Sequence, residues 1–160
     1  MEIVKRPGPP TGLRRTLWRL PISLYRMGLG GLLGRRVMLL THTGRVSGLP
    51  RQAVIEVVDH DGHGYLAASG FGVRADWYRN VVASPEVTVQ VGGHVHQVTA
   101  VPLPAEAGAD LMARYASRHP AAARRLCRIM GYAVDGSQED YREVGRHVPF
   151  VKFVPRESRR

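Results

Sequence analysis

From Val37 onward, apolar and polar residues follow the two-residue period of β-strands, interrupted by helical stretches. Val37 to Thr41 is a compact apolar strand, VMLLT. Gln52 to Val58 sets Ala53, Ile55 and Val57 on one face and Val54, Glu56 and Val58 on the other, so both faces are largely covered. Asp59 to Gly64 has turn residues, and Tyr65 to Ser69 returns as the next strand. Val87, Val89 and Val91 alternate with Thr88 and Gln90. Gly92 and Gly93 then make a two-residue hairpin turn, because glycine accepts positive φ at no steric cost. His94 to Val101 is the returning strand, and Val148 to Val154 the last.

Helices fall between these strands. Asp76 to Ala83 is short and closed by Pro85. Pro104 and Glu106 open a second helix, with Leu111, Met112 and Tyr115 on one face. Pro120 ends it and begins another, which carries Leu126, Ile129 and Met130 before Gly131. Ser137, three residues before Asp140, forms a weak cap ahead of Tyr141 and Val144. The sum is about six hairpin-linked antiparallel strands with inserted helices: a mainly β, α+β chain whose edges close best as a small barrel.

A chain of 160 residues suits one domain. Residues 1–13 are rich in Pro and Gly and read as a loose basic arm, 14–155 as the single domain and 156–160 as a tail. Within 14–29, arginines interleave with large apolar residues and Pro21 divides the run. Two readings fit this segment: a helix packed across the barrel, or an interfacial segment touching lipid headgroups. No apolar stretch of about 20 residues exists to span a membrane, and no secretion signal is visible. The expected setting is cytoplasmic, with membrane association as the variant.

The formal charge is +10, and Lys5 and Lys152 are the only lysines. Arginine makes planar two-pronged bonds to phosphate and carboxylate, so the charge points to an anionic partner. Nucleic acid is not expected, since no basic stripe with stacking aromatics is present. Cys127 is the only cysteine, so no internal disulfide forms; it reads as a small apolar residue on a helix.

Two segments concentrate candidate chemistry. Thr43-Gly44-Arg45-Val46-Ser47-Gly48-Leu49-Pro50-Arg51 joins two strands. Its glycines permit a tight turn with exposed N–H groups, and two arginines and a hydroxyl lie close by, which together describe an anion-binding loop or, more plainly, a solvated basic turn. The Gly-Lys-Ser/Thr ending of a nucleotide P-loop is absent. The second segment runs from Ala67 to Asn80. Small residues end a strand, a glycine-flanked loop follows, and a helix starts near Asp76, offering unpaired N–H groups to an anion. Trp77 and Tyr78 stand ready as pocket wall or as core.

In order and spacing, Thr43 to Arg51, Ala67 to Gly72, Trp77 to Asn80 and Ser84 to Gly92 resemble the motifs of the deazaflavin-dependent nitroreductase family, a branch of the split β-barrel flavin-binding proteins. The resemblance covers roughly residues 15–155. It implies a split β-barrel and coenzyme F-420, with FMN the lesser alternative. The F-420 tail is a phospholactate followed by glutamates, which gives the arginines a polyanionic partner. By this resemblance Arg45, Ser47 and Arg51 grip the phosphate end, with Val46 where many members carry lysine. Gln52, Ala53, Val54, Ile55 and Glu56 form the strand beside the deazaflavin. Ala67, Ala68, Ser69 and Gly70 contact the cofactor, and Asp76, Trp77, Tyr78, Arg79 and Asn80 close the groove. Arg74 or Arg79 compensates for the missing lysine.

The implied activity is hydride transfer from reduced F-420 to a conjugated acceptor such as an enone, quinone or nitro compound, with the protein binding, orienting and excluding water. Candidate proton donors are Ser69 and Tyr132. The tyrosine cluster that many nitroreducing members carry is replaced by His119-Pro120-Ala121-Ala122-Ala123-Arg124-Arg125, which counts against nitroreduction. The alternative is a non-catalytic protein holding a cofactor or lipid in the same barrel. His60 with His63, and His94 with His96, each supply only two ligands, so no metal site is expected. His42 is expected to line the site without a catalytic role.

Overall fold

The computed structural model describes residues 1–3, 37–70 and 72–156. Its strands are β1 (Glu2–Ile3), β2 (Val37–Thr43), β3 (Pro50–His60), β4 (Tyr65–Ala68), β5 (Glu86–Val91), β6 (His94–Pro102), β7 (Tyr132–Ala133) and β8 (Phe150–Pro155). The helices are α1 (Asp76–Ala83), α2 (Ala105–Arg118), α3 (Pro120–Ile129) and α4 (Gln138–His147). The segment 14–29 lies outside the described residues. Among the described residues, no helix is long and apolar enough to cross a membrane.

Six strands close into an antiparallel barrel in the order β2-β3-β4-β8-β6-β5, with β5 returning to β2. The alternation in the sequence becomes its inner and outer faces. Met38 and Leu40, Ile55, Ala67, Val87, Val89 and Val91, Val98 and Ala100, and Val151 and Phe153 fill the interior, with Val81 of α1 added at one end. A bulge between Val57 and Asp59 shifts the register of β3 against β4. Val57 pairs with Ala67 on the inner face, while Asp59 pairs with Leu66 and faces outward, 3.8 Å from Arg118.

A second core lies outside the barrel. Val58, Leu66 and Phe150 meet Leu111, Met112, Leu126, Cys127 and Val144 of the helices. Helices α2 and α4 touch through Gly108 and Gly145, where an added Cβ at either position would overlap the other helix's backbone. Burial pushes the Cys127 thiol up to about 12, as expected of a structural cysteine.

The helices start where the residues foretell. Pro120 occupies the first turn of α3, and the Ser137 hydroxyl accepts from the Asp140 N–H at 3.2 Å. Three expectations change. β3 extends further at both ends, because the hairpin pairing runs out to Thr43 opposite Pro50 and, past the bulge, to His60 opposite Tyr65. β8 starts at Phe150, since Val148 still caps α4 and Pro149 has no N–H to give a ladder. The start of the expected loose arm is tied down: Glu2 and Ile3 pair with Ala133 and Tyr132, and the Met1 amino group sits 2.5 Å from Asp140.

Candidate functional site

Helix α1 follows β4 and precedes β5 in the chain, and packs Val81 into the barrel core. Its inner face buries Asn80 and Val81. Trp77 and Tyr78 are half-buried against the barrel core, with Trp77 and Phe153 ring centroids 6.4 Å apart. Both rings therefore serve as part of the core while keeping a half-exposed side.

The β2–β3 loop folds over α1. It is braced internally: Gly44 N–H donates to Leu49 C=O and Gly48 N–H to Gly44 C=O, each at 2.8 Å, with Gly48 at φ 70°. Leu49 N–H donates to the Ser47 hydroxyl at 3.2 Å. The exposed nest of N–H groups expected from the glycines is thus mostly used up within the loop. The anion-binding chemistry that remains is guanidinium and hydroxyl.

Asn80 joins three elements. Its Oδ1 accepts from the Arg45 backbone N–H at 3.1 Å and from Arg45 Nη1 at 2.9 Å. Its Nδ2 lies 3.0 Å from His42 Nδ1. Arg45 Nη2 also reaches Asp76 at 3.2 Å, an exposed pair worth little by itself. Asp76 sits in the first turn of α1, largely exposed, with its carboxylate turned to Arg45. His42 lies on the inner face of β2 with Met38 and Leu40, directly opposite Arg51. Burial pushes its imidazole down to about 4; Asp76 opposes this shift and Arg51 adds to it. His42 is therefore neutral at physiological pH.

Ser47 and Arg51 converge at Gly44. A Cβ there would lie 2.5 Å from Ser47 Oγ and 3.7 Å from Arg51 Nε. Gly44 is what lets hydroxyl and guanidinium share this corner. Arg51, Arg74 and Arg79 have no ion-pair partner among the described residues.

The structure thus brings together Arg45, Ser47, Arg51, Asp76 and Asn80. Other residues named from the sequence lie elsewhere. Val46 is 94% exposed at the loop tip. Ala67 is fully buried in the barrel interior and Ile55 is buried there too, while Ala53 packs against the same core and is only partly buried. Strand alternation turns Gln52, Val54 and Glu56 to the opposite face of β3. Ala68 packs against the helix-side core, and Gly70 lies beside Met130, whose Cγ is 3.6 Å from where a Cβ would stand.

Neither expected proton donor is poised for the task. Ser69 is 1% exposed, and its hydroxyl donates to Gly72 C=O at 2.6 Å, so its one proton shapes the loop. Tyr132 is buried in the helix-side core on the strand paired with β1. The sequence shows Gly44 as a turn glycine and His42 as a lining residue, but not the Ser47–Arg51 corner or the Asn80 contact that they make. The signal for His42 was available: it continues the inward alternation of Met38 and Leu40. No cluster of three or more metal-ligating side chains occurs among the described residues.

The donor set suits a polyanionic tail: the Arg51 guanidinium and the Ser47 hydroxyl meet at one corner, and the same loop carries Arg45, held by Asn80 and Asp76. On that chemistry the residues fit the F-420 tail.

Comparisons with known proteins agree with this architecture. The family model described as F420H(2)-dependent quinone reductase matches residues 19–129. F420H(2)-dependent quinone reductases of Mycobacterium tuberculosis are 35% identical over a stretch covering 54% of this chain and 63% of theirs. The chain thus spans less than two thirds of the length of these curated relatives. The solved structure of an F420-H2 dependent reductase is 26% identical, with a TM-score of 0.52 over 75% of this chain and 95% of that one. HutZ, a haem storage protein of Vibrio cholerae, shares the fold alone at 12% identity and a TM-score of 0.54, over 88% of this chain and 92% of that one. The chain, a split β-barrel protein, belongs to the F420H(2)-dependent quinone reductase family.

Proposed function

We propose that this protein is a reductase that takes hydride from reduced F-420 and delivers it to a quinone or similar conjugated acceptor. The observation that carries the reading is the corner where Arg51, without an ion-pair partner among the described residues, meets the Ser47 hydroxyl beside an Arg45 held by Asn80. When bound, the reduced deazaflavin supplies a low-potential hydride, so the protein need not bring a redox group of its own. Arg51 and Ser47 would hold the phosphate end, Ser47 donating the hydroxyl proton that its bond to Leu49 N–H leaves unused. Arg45 adds a fixed positive charge. Gln52, Val54 and Glu56 would line the ring, and Trp77 and Tyr78 would keep water from one side.

The finer features of this reading are a lipophilic acceptor and a cytoplasmic setting, the latter consistent with a lone, buried, free thiol. The loss of the tyrosine cluster favours quinones over nitro compounds.

Anaerobic oxidation of reduced F-420 by a soluble quinone, with wild type and Arg51→Ala, tests the reading. The expected result is turnover with KM for the cofactor raised about 10- to 100-fold in the variant, the range for losing a hydrogen bond to a charged group. Binding without turnover across quinones, enones and nitro compounds would support the non-catalytic alternative instead.

A further inference from the structure

The Arg45–Asn80–His42 chain does more than add a contact to the site. Asn80 is 3% exposed and His42 5%, so any donor or acceptor left unmatched there carries a desolvation cost. Every bond in the chain constrains the next. Two donors of Arg45 converge on one oxygen of Asn80, which settles the amide orientation: the other orientation would set NH2 against both Arg45 donors. With Oδ1 on Arg45, Nδ2 must donate, and His42 Nδ1 is the group that receives it. His42 must then carry its proton on Nε2.

We propose that Asn80 is a positioning residue that fixes Arg45 at the mouth of the cofactor site, with buried His42 as the acceptor that holds the Asn80 amide in the required orientation. This goes beyond the binding role assigned to Asn80 from the sequence and gives His42 a task. It rests on the proposed function only in what Arg45 is held for.

A long arginine side chain on an exposed loop samples many rotamers, and ordering it on binding weakens affinity. Asn80 settles that ordering in advance by gripping both the loop backbone and the guanidinium. Asp76 alone would not do so, since its carboxylate is exposed and touches only Nη2. Protonation of His42 undoes the arrangement. An Nδ1–H would face the Asn80 NH2, and relief comes from turning the amide, which releases Arg45. The charged groups acting on His42 are Asp76 of α1, which favours the proton, and Arg51 of β3, which opposes it.

The test has two arms. In the first, the His42 ring is titrated by NMR in wild type and Asn80→Asp without cofactor. An aspartate still accepts from Arg45 but presents a second acceptor to His42, which is then driven to hold a proton on Nδ1. The expected result is a His42 titration near pH 4 in wild type, moved above pH 6.5 in Asn80→Asp, with the fold retained. An unmoved titration would overturn the proposal whatever the cofactor does. In the second arm, F-420 affinity is measured for Asn80→Ala, Arg45→Ala and the double variant. Asn80→Ala is expected to weaken binding about tenfold, and to change it less than twofold once Arg45 is gone. Independent, multiplying losses would overturn the positioning role. Should wild type fail to bind F-420 at all, the functional reading falls while the first arm still decides the His42–Asn80 link.

Discussion

Replacing Gly145 with alanine offers the sharpest test of the packing that supports the barrel from outside. In an unencumbered helix interior, Gly→Ala gains about 1 kcal/mol of helix propensity. Here the new methyl would overlap the Gly108 carbonyl oxygen of α2 and lie 2.7 Å from Ala109 Cα. Both obstacles are backbone, so no side chain can swing aside; the two helices must part. Overpacking costs about 1–3 kcal/mol, and a backbone-on-backbone clash belongs at the top of that range. Subtracting the propensity gain leaves a net loss of about 2 kcal/mol, or roughly 4–8 °C in Tm for a chain of this size. Thermal unfolding followed by circular dichroism measures it. Gly93→Ala is the control, because a Cβ there meets nothing within 4 Å, and it should leave Tm unchanged. A Gly145→Ala protein as stable as wild type, or more so, would refute the close approach of α2 and α4.

The remaining predictions concern the site and the buried titratable groups. His42, depressed to about 4, takes up a proton in the unfolded chain below about pH 6.5 but not in the folded one until pH 4, so its contribution is full above 6.5 and lost between 6.5 and 4. That amounts to about 3 kcal/mol by the 1.36 kcal/mol per pKa unit rule, and His42→Gln should flatten the fall of Tm over that interval. Gly44→Ala would push the Ser47 hydroxyl from its corner and break its bond to Leu49 N–H; F-420 affinity should drop about tenfold while stability changes by only about 1 kcal/mol, checked by titration and melting. Cys127, buried with its thiol pushed up to about 12, should resist a thiol reagent at neutral pH until the protein unfolds.

Much of this architecture is legible in the residues because strand alternation and proline placement are local signals. Val87, Val89 and Val91 alternate into the barrel interior, and Pro120 marks the start of α3. The loop–helix meeting of Arg45 with Asn80 was legible only as two basic-and-small motifs; their contact spans 35 residues of sequence and depends on closure of the barrel. What the sequence left hidden depends on facing and pairing. Ala67 and Ser69 look like ring-contacting small residues, yet one is sealed in the core and the other turns its hydroxyl to Gly72. The bulge at Val57 and Asp59 changes which side of β3 faces the helices, and no local pattern announces it. The two-residue strands β1 and β7 are too short to show periodicity, and their pairing is visible only once the chain is folded.

The central claim is that a polyanionic deazaflavin tail binds at Arg51, Ser47 and Arg45. Titration of F-420 fluorescence with the purified protein, beside FMN under the same conditions, addresses it most directly. Saturable quenching of F-420, tighter than that of FMN and weakened in Arg51→Ala, is the predicted result. Equal or tighter binding of FMN, or F-420 binding indifferent to Arg51, would contradict it.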